Sequence, residues 1–312
     1  MAVQWYPGHM TKARKAIAGG MSNCDVVIEV VDARMPLASQ NPVLAEIRGN
    51  KPCLTLLNKS DLADEAVTKE WLVTFEARAQ DGEPILAAPV QATHGADLAK
   101  RITGLCRKLA PHRTGPIKPL RAMIVGIPNV GKSTLMNVIV SRKVAKVGDE
   151  PAVTKSAQRI TLDNGLWITD NPGILWPKIE NESSALRLAL CAAIPDTAID
   201  YETVALFGAR FFLAAYPDRL LARYKLTSLP SEASDLLLEI GRRRGGLRAG
   251  GVVDVHKAAG VLMHDFRSGA LGRISLEDPA SAELEEAALA ATFAEDDEDL
   301  DDGGDFDTEV DA

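Results

Sequence analysis

The chain has 312 residues, 46% of them hydrophobic and 25% charged, which excludes a disordered protein and allows two folded domains. No apolar run reaches the length of about eighteen residues that a membrane-spanning helix needs, and the segment before Trp5 is too short for a targeting leader. The four cysteines include no C-x2-C pair, which argues against zinc and against a disulfide framework. We therefore expect a cytoplasmic monomer that does not contact a membrane.

Acidic residues are concentrated at the carboxyl end of the chain. Residues 295–312 contain eleven Asp or Glu and no Lys or Arg, whereas the whole chain carries a formal charge of −8. The rest of the chain therefore carries a charge of +3, and the composition predicts a disordered acidic tail over 294–312. Basic residues cluster elsewhere, in the segment GRRRGGLR at 241–248.

Short apolar runs alternate with helical patterns through the first half of the chain. Such runs are typical of buried parallel strands, and we expect them at 25–33, 52–58, 84–90 and 121–127. Helical spacing occupies 62–80, 96–109 and 132–140, and the runs 159–162 and 166–170 flank the hairpin turn Asp163-Asn164-Gly165. The alternation predicts an α/β fold with a doubly wound, mostly parallel sheet.

The second half of the chain has a different pattern. After about residue 180 the strand pattern gives way to Leu- and Ala-rich helical stretches, and the Pro-rich segment 111–120 is typical of a linker. We expect an α/β domain over 1–178 and an all-α domain over 179–293.

A phosphate-binding loop follows the fourth strand, with the spacing Gly126-x4-Gly131-Lys132-Ser133. Glycine permits the backbone N–H groups to point inward, and the helix that follows directs its positive end at the phosphates. In this interpretation Lys132 contacts the β- and γ-phosphates and Ser133 holds Mg²⁺. The predicted phosphate contacts are Asn129, Val130, Gly131, Lys132, Ser133 and Thr134.

Two further motifs come after this loop. Asp170-Asn171-Pro172-Gly173 ends a predicted strand, and its carboxylate is expected to hold Mg²⁺ through water while Gly173 donates its N–H to the γ-phosphate. Thr154 lies between the two motifs, where a second hydroxyl is expected to close over Mg²⁺ and the γ-phosphate.

The motif that recognises the base is Asn58-Lys59-Ser60-Asp61. The Asp61 carboxylate can accept the two hydrogens that guanine presents at N1 and N2, whereas adenine presents a bare acceptor at N1. The Lys59 stem can lie along the base. Ala92, which follows the third strand, is expected to offer its backbone N–H to guanine O6.

These motifs occur in an unusual order, since the base reader precedes the phosphate loop by about seventy residues. A doubly wound sheet can be opened in one loop and rejoined in another without a change to its core. If linker 111–120 joins the former ends and the chain opens after Gly173, the observed order results. The sequence thus predicts a circularly permuted P-loop GTPase domain followed by an all-α domain.

The chain resembles the ribosome biogenesis GTPase A (YlqF-type) family. The resemblance rests on six stretches: WYPGHMTKA (5–13), DARMPLASQNP (32–42), NKSDL (58–62), GIPNVGKSTLMN (126–137), PAVTKSAQ (151–158) and DNPGILWP (170–177). It implies a cytoplasmic factor in late maturation of the large ribosomal subunit that binds ribosomal RNA and leaves after GTP hydrolysis.

The residue that activates the attacking water is not evident, because Ile174 occupies the position where many GTPases carry a Gln. The resemblance points to His9 as a substitute, with a structural or merely exposed His as the alternative. Asn129 resembles a position that helps to hold K⁺ in related GTPases, and a solvent-facing loop Asn is the alternative. Turnover is therefore expected to be slow in the absence of the ribosome.

The basic cluster favours RNA as a partner. Guanidinium groups pair with phosphates, and we expect Arg242, Arg243, Arg244 and Arg248 to contact ribosomal RNA, although a solvated helix end would also carry such charges. Two other functions stay open. One is a regulatory GTP-binding switch whose helical domain binds a protein, and the other is a nucleotide-binding scaffold without useful hydrolysis.

Overall fold

A computed structural model describes residues 8–93, 97–113, 118–139, 158–161, 165–171, 173–175, 179, 181–248 and 250–288, and for 8–13, 158 and 159 it describes the backbone alone. Several predictions lie outside these residues: the role of Thr154, the side chain of His9, the turn residues Asp163 and Asn164, and the acidic tail.

Six strands form one sheet in the order β3-β2-β1-β4-β6-β5. The strands are β1 (Val26–Asp32), β2 (Cys53–Asn58), β3 (Ile85–Pro89), β4 (Leu120–Val125), β5 (Gln158–Thr161) and β6 (Leu166–Asp170). All neighbours pair in parallel except β5 and β6, which are antiparallel. The predicted doubly wound, mostly parallel sheet is confirmed.

Strand β1 shows why the sheet is covered on both faces. All seven of its residues are buried. Because successive side chains point to opposite faces, Val26, Ile28 and Val30 join one hydrophobic cluster while Val27 and Val31 join a second. A continuous apolar run is what a strand buried on two sides requires.

Helices flank the sheet and make up the second half of the chain. They are α1 (Gly8–Met21), α2 (Pro42–Arg48), α3 (Glu65–Gln80), α4 (Leu98–Leu109), α5 (Lys132–Ile139), α6 (Glu182–Leu190), α7 (Tyr201–Ala215), α8 (Pro217–Tyr224), α9 (Ala233–Arg243) and α10 (Val255–Arg267), and residues 279–288 are also helical. No helix in the described part of the chain combines the length and apolar character that crossing a bilayer demands.

Local capping explains where several helices begin. Asp64 accepts a hydrogen bond from the N–H of Ala66 at the start of α3, and Asp254 accepts one from the N–H of Lys257 in α10. Asn41, followed by a proline at the first helical position, begins α2 in the same way. We did not predict α1, α2 or α8. The last two span seven and eight residues, so their periodic signal is weak.

The helical half packs against the sheet. The cluster that contains Val26 continues through Leu188 and Phe212 to Phe266, so one core serves both halves. The segment after α10 then returns to the sheet, where Ile274 donates its N–H to the carbonyl of Leu62 at 2.9 Å. The boundary at residue 178 stays a prediction, and it divides a chain whose two halves share a core.

Candidate nucleotide site

The predicted nucleotide residues meet at one edge of the sheet. Asp32 ends β1, Asn58 ends β2 and Asp170 ends β6, while the phosphate loop follows β4. Since these four strands are parallel, their carboxyl ends lie side by side, which is where open α/β sheets bind ligands.

Asn58 connects the base-reading motif to the phosphate loop. Its side-chain amide donates a hydrogen bond to the carbonyl of Val130 at 2.7 Å, and its Oδ1 accepts one from the N–H of Ala92 at 3.1 Å. Asn58 is buried, so both bonds are protected from water. Three segments that are distant in sequence are therefore fixed to one another by a single side chain.

The bond to Ala92 bears on the predicted base contact. The N–H that was expected to face guanine O6 donates to Asn58 in this structure. Contact of Ala92 with guanine stays a prediction, and it requires that this N–H be shared.

Gly131 shows how closely the two motifs approach. Its φ is +94°, a left-handed conformation that favours glycine, and a Cβ built there would lie 2.3 Å from the amide nitrogen of Asn58. Any larger residue at this position would separate the phosphate loop from the base reader.

Lys132 is buried at the first position of α5. Its ammonium donates hydrogen bonds to the carbonyls of Gly126 at 3.1 Å and Ile127 at 2.7 Å, so it bends back over the phosphate loop. Burial lowers the pKa of Lys132 to about 8, and the charge of Asp170 partly opposes this change. The buried ammonium is thus held where the negative charge of a phosphate chain would compensate its own positive charge.

Gly173 lies directly against the phosphate loop. A Cβ at this residue would lie 2.8 Å from both the Lys132 ammonium and the backbone nitrogen of Pro128. Nearby, the Asp170 carboxylate is buried, and Ser133 sits in the first turn of α5. A carboxylate and a hydroxyl are hard oxygen donors, the type that Mg²⁺ prefers.

The Asp61 carboxylate is available for recognition. The residue is half-buried, and within the described residues its carboxylate has no hydrogen-bond or ion-pair partner. Its neighbour Lys59 has a φ of +59° and places its ammonium 3.0 Å from Asp32.

Sequence reasoning assigned no role to Asp32 or Arg34. Asp32 is buried at the end of β1 and accepts two hydrogen bonds from the Arg34 guanidinium, at 2.9 and 2.8 Å. A signal was present, because Asp32 ends a buried strand in the same way as Asn58 and Asp170 do.

Ile174 points into the core rather than toward the nucleotide site. It is 2% exposed, in the cluster that also contains Trp71. The side-chain amide of buried Asn41 donates a hydrogen bond to the Ile174 carbonyl at 2.7 Å. The residue that replaces the usual Gln is thus fixed in position and supplies no polar group.

Asn129 joins the phosphate loop to the helical half. Its φ is +58°, and its side-chain amide donates to the carbonyl of Ala192 at 2.8 Å. This contact does not decide whether Asn129 also holds K⁺, which stays a prediction.

The four predicted RNA-binding arginines are all exposed. Arg242 and Arg243 pair with Glu239 at 2.6 and 3.3 Å, and Arg248 pairs with Asp254 at 2.9 Å. Arg244 instead donates to the carbonyl of Arg223 at 2.8 Å. Acidic partners therefore offset much of the charge on this segment.

A cationic groove of about 570 Å³ lies beside this segment. Arg219, Arg223, Lys225 and Arg244 line it. Arg223 pairs with buried Asp265, and none of the other three cations pairs with a carboxylate in the part of the chain that the structure describes. The groove was not predicted, because its lining comes from α8, from the residues just after α8 and α9, and from residues 270–272 after α10.

Comparison with known proteins agrees with this geometry. Residues 121–205 match the family MMR_HSR1, described as 50S ribosome-binding GTPase. Ribosome biogenesis GTPase A of Priestia megaterium is 43% identical over 291 residues, which cover 91% of this chain and 99% of that protein. The protein of the same name from Thermotoga maritima is 34% identical and covers 89% and 95%. The chain belongs to the ribosome biogenesis GTPase A family.

Solved structures of this family share the fold. A GDP-bound YlqF structure has a TM-score of 0.62 at 26% identity and covers 85% of this chain and 99% of that chain. The GNP-bound YlqF from T. maritima has a TM-score of 0.60 at 28% identity and covers 86% and 98%. The predicted fold class is confirmed, and the protein is a GTPase of a ribosome biogenesis family.

Proposed function

We propose that the protein acts in late assembly of the large ribosomal subunit, that it binds ribosomal RNA, and that GTP hydrolysis triggers its release. The observation that carries the nucleotide part is the position of Asn58, which ties the base-reading motif to the phosphate loop. Asp61 and Lys59 then recognise guanine, while Lys132 and the N–H groups of residues 129–134 hold the phosphates.

Mg²⁺ fits the oxygen donors of this site. Ser133 and Asp170 would hold the ion, with Thr154 as a third predicted ligand. When bound, Mg²⁺ would neutralise phosphate charge. Gly173 would donate its N–H to the γ-phosphate, and the absence of a Cβ, which would lie 2.8 Å from the Lys132 ammonium, leaves room for that role.

A turnover experiment tests the ribosomal part of this proposal. We expect GTP hydrolysis by the purified protein to be slow, because Ile174 offers no group to orient water, and to rise strongly with purified large subunits. Asp61→Asn should abolish the preference for GTP over ATP. Turnover that large subunits leave unchanged would favour the regulatory switch instead.

His9 is proposed to orient the water in the assembled site. His9→Ala should lower turnover with large subunits while the GTP affinity stays within about threefold. A large loss of affinity would instead identify His9 as structural. Comparison of rates in K⁺ and Na⁺ tests whether Asn129 helps to hold K⁺.

RNA contact is proposed at the cationic groove and along residues 242–248. Three cations of the groove lack acidic partners in the described chain, whereas Arg242 and Arg248 have them. The triple variant Arg219→Gln, Lys225→Gln, Arg244→Gln should bind purified large-subunit RNA more weakly and lower the salt slope by about 0.7–0.9 per lost phosphate contact.

The matched control neutralises the ion-paired arginines Arg242 and Arg248. Arg242→Gln with Arg248→Gln should change the RNA affinity less than the triple variant does. Equal losses would mean that the groove and residues 242–248 contribute alike, and no loss in either variant would place the RNA elsewhere. We also propose a cytoplasmic location and a monomeric state. Sedimentation of the purified protein would test the monomeric state.

A further inference from the structure

Asp32 lies at the centre of a charge network beside the base-reading motif. Its carboxylate accepts hydrogen bonds from the backbone N–H and the guanidinium of Arg34 and from the Lys59 ammonium. Asp32 is 1% exposed. Burial raises the pKa of this carboxyl, but the charges of Arg34 and Lys59 outweigh that effect and hold the pKa below its ordinary range. The group is therefore an anion.

Arg34 is fixed as firmly as its partner. Its side chain is 2% exposed, and its guanidinium lies 4.8 Å from the centre of the Phe266 ring in α10. Its carbonyl accepts a hydrogen bond from the N–H of Leu276 at 2.6 Å. The Arg34 charge thus has one available orientation, which also sets that of Asp32.

Lys59 is held in place by Asp32, which Arg34 orients. Its side chain is 24% exposed, and its ammonium is anchored on Asp32 at 3.0 Å. A free lysine loses rotamer freedom when it packs against a ligand, and an anchored one has lost it beforehand. Pre-organisation of Lys59 therefore favours binding of the base.

We propose that Asp32 and Arg34 are positioning residues for guanine recognition: they hold the Lys59 ammonium so that its stem lies beside the base that Asp61 reads. This inference rests on the proposed assignment of Lys59 and Asp61 to the base site. It also makes helix α10, through Phe266, part of the support for that site.

The test compares affinities for GDP and ADP by calorimetry. Asp32→Asn should weaken GDP binding about tenfold and leave the weak ADP binding unchanged, so the ratio of the two falls. Lys59→Met should produce the same fall. The double variant should then be no worse than Lys59→Met alone, because the two changes remove one interaction.

Strand β1 carries a matched control at its other end. Arg121 donates two hydrogen bonds to Asp25, at 3.0 and 2.8 Å, in the same bidentate geometry. Asp25→Asn should lower the melting temperature but leave the ratio of GDP to ADP affinity at the wild-type value.

The outcomes separate this inference from the proposed site. If the wild-type protein does not prefer GDP over ADP, the base site itself is wrong. If it prefers GDP and Asp32→Asn keeps the full preference, the positioning role is wrong. Should Asp32→Asn fail to fold, Lys59→Met decides, since a folded Lys59→Met with wild-type discrimination also overturns the proposal.

Discussion

Lys132 illustrates how a single residue is prepared for an anionic ligand. Among the described residues, the buried Lys132 ammonium meets two carbonyl oxygens and one nearby carboxylate, and its burial lowers its pKa to about 8. If Lys132 contacts the phosphates as proposed, a nucleotide would supply further negative charge. Burial therefore makes the free site less favourable and binding more so.

The first prediction follows from this pKa. Above pH 8 the free protein loses the Lys132 proton, whereas bound phosphates favour the charged form, so binding must take up a proton. The GDP affinity should therefore fall as the pH rises through 8, by about tenfold per pH unit well above that value. Calorimetry in buffers of different ionisation enthalpy measures both affinity and proton uptake.

Lys132→Met supplies the control for this titration. It should bind GDP weakly at every pH and show no proton uptake near pH 8, which separates Lys132 from titration of the ligand. A wild-type affinity that stays flat between pH 7 and 9 would contradict the interpretation.

At the scale of elements, the loop between β1 and α2 joins α2 to the segment that follows β6. Asn41 at its end caps α2 through Oδ1 and holds the Ile174 carbonyl through its amide. Gly173, next to Ile174, lies so close to Lys132 that a Cβ built there would come within 2.8 Å of its ammonium. The loop is therefore bonded to the segment that we predict to face the γ-phosphate.

The second prediction isolates that contact. Serine caps helices as well as asparagine does but is too short to reach Ile174, so Asn41→Ser should keep α2 and lose the hydrogen bond. Amide exchange at residues 173–175 should accelerate. The affinity for a GTP analogue should fall about fivefold relative to GDP, since one such bond contributes about 1 kcal/mol.

Asn181 offers the same substitution without a bond to Ile174, since its side-chain amide donates to Glu285 at 3.5 Å instead. It caps α6 by accepting a hydrogen bond from the N–H of Ser184. Asn181→Ser should leave the relative affinity for the GTP analogue unchanged. An identical effect of both variants would show that general destabilisation, rather than the bond to Ile174, is responsible.

At the element scale, local sequence patterns were sufficient to predict the strands of the sheet but not the side chains that hold neighbouring segments in place. The apolar runs predicted all six strands, and the motifs at their carboxyl ends predicted that Asn58, Lys132 and Asp170 lie at one edge of the sheet, while their roles stay predictions. Asn41 and Arg34 escaped prediction, because their roles depend on partners far along the chain: Ile174 for one and Phe266 for the other. Periodicity and turn chemistry carry no information about such contacts.

At the scale of the whole molecule, the segment after α10 connects the helical half to the loop between β1 and α2. Glu277 accepts hydrogen bonds from the backbone N–H groups of Leu37 and Ala38, in the loop between β1 and α2, and lies 3.6 Å from Arg187 of α6. Arg187 also pairs with Glu285 in a bidentate manner, at 2.7 and 2.6 Å. One carboxylate thus fastens the carboxyl-terminal segment, the helical half and a loop beside the nucleotide site.

The two carboxylates that share Arg187 differ in the sign of their response to pH. Burial raises the pKa of Glu277 to about 7, although Arg187 opposes this change. Its contribution to stability is therefore complete below its unfolded pKa of about 4.3 and is lost as the pH rises through 7. The hydrogen bonds from Arg187 lower the pKa of Glu285, so its contribution is lost as the pH falls.

The last prediction uses this opposition. The unfolding free energy of wild type minus that of Glu277→Gln, measured in urea from pH 5 to pH 8, should decrease as the pH rises. The decrease should be about 1.4 kcal/mol per pH unit up to about pH 7. Wild type relative to Glu285→Gln should show a constant difference over this range, because the lowered pKa of Glu285 places its titration below pH 5. There a weaker dependence of opposite sign is expected, because Glu285 is more exposed. A constant offset for Glu277→Gln would mean that Arg187 and the two N–H groups keep Glu277 ionised throughout. In that case the ionised Glu277 would hold the loop between β1 and α2 at every pH, and removal of Arg187 would be needed to weaken this contact.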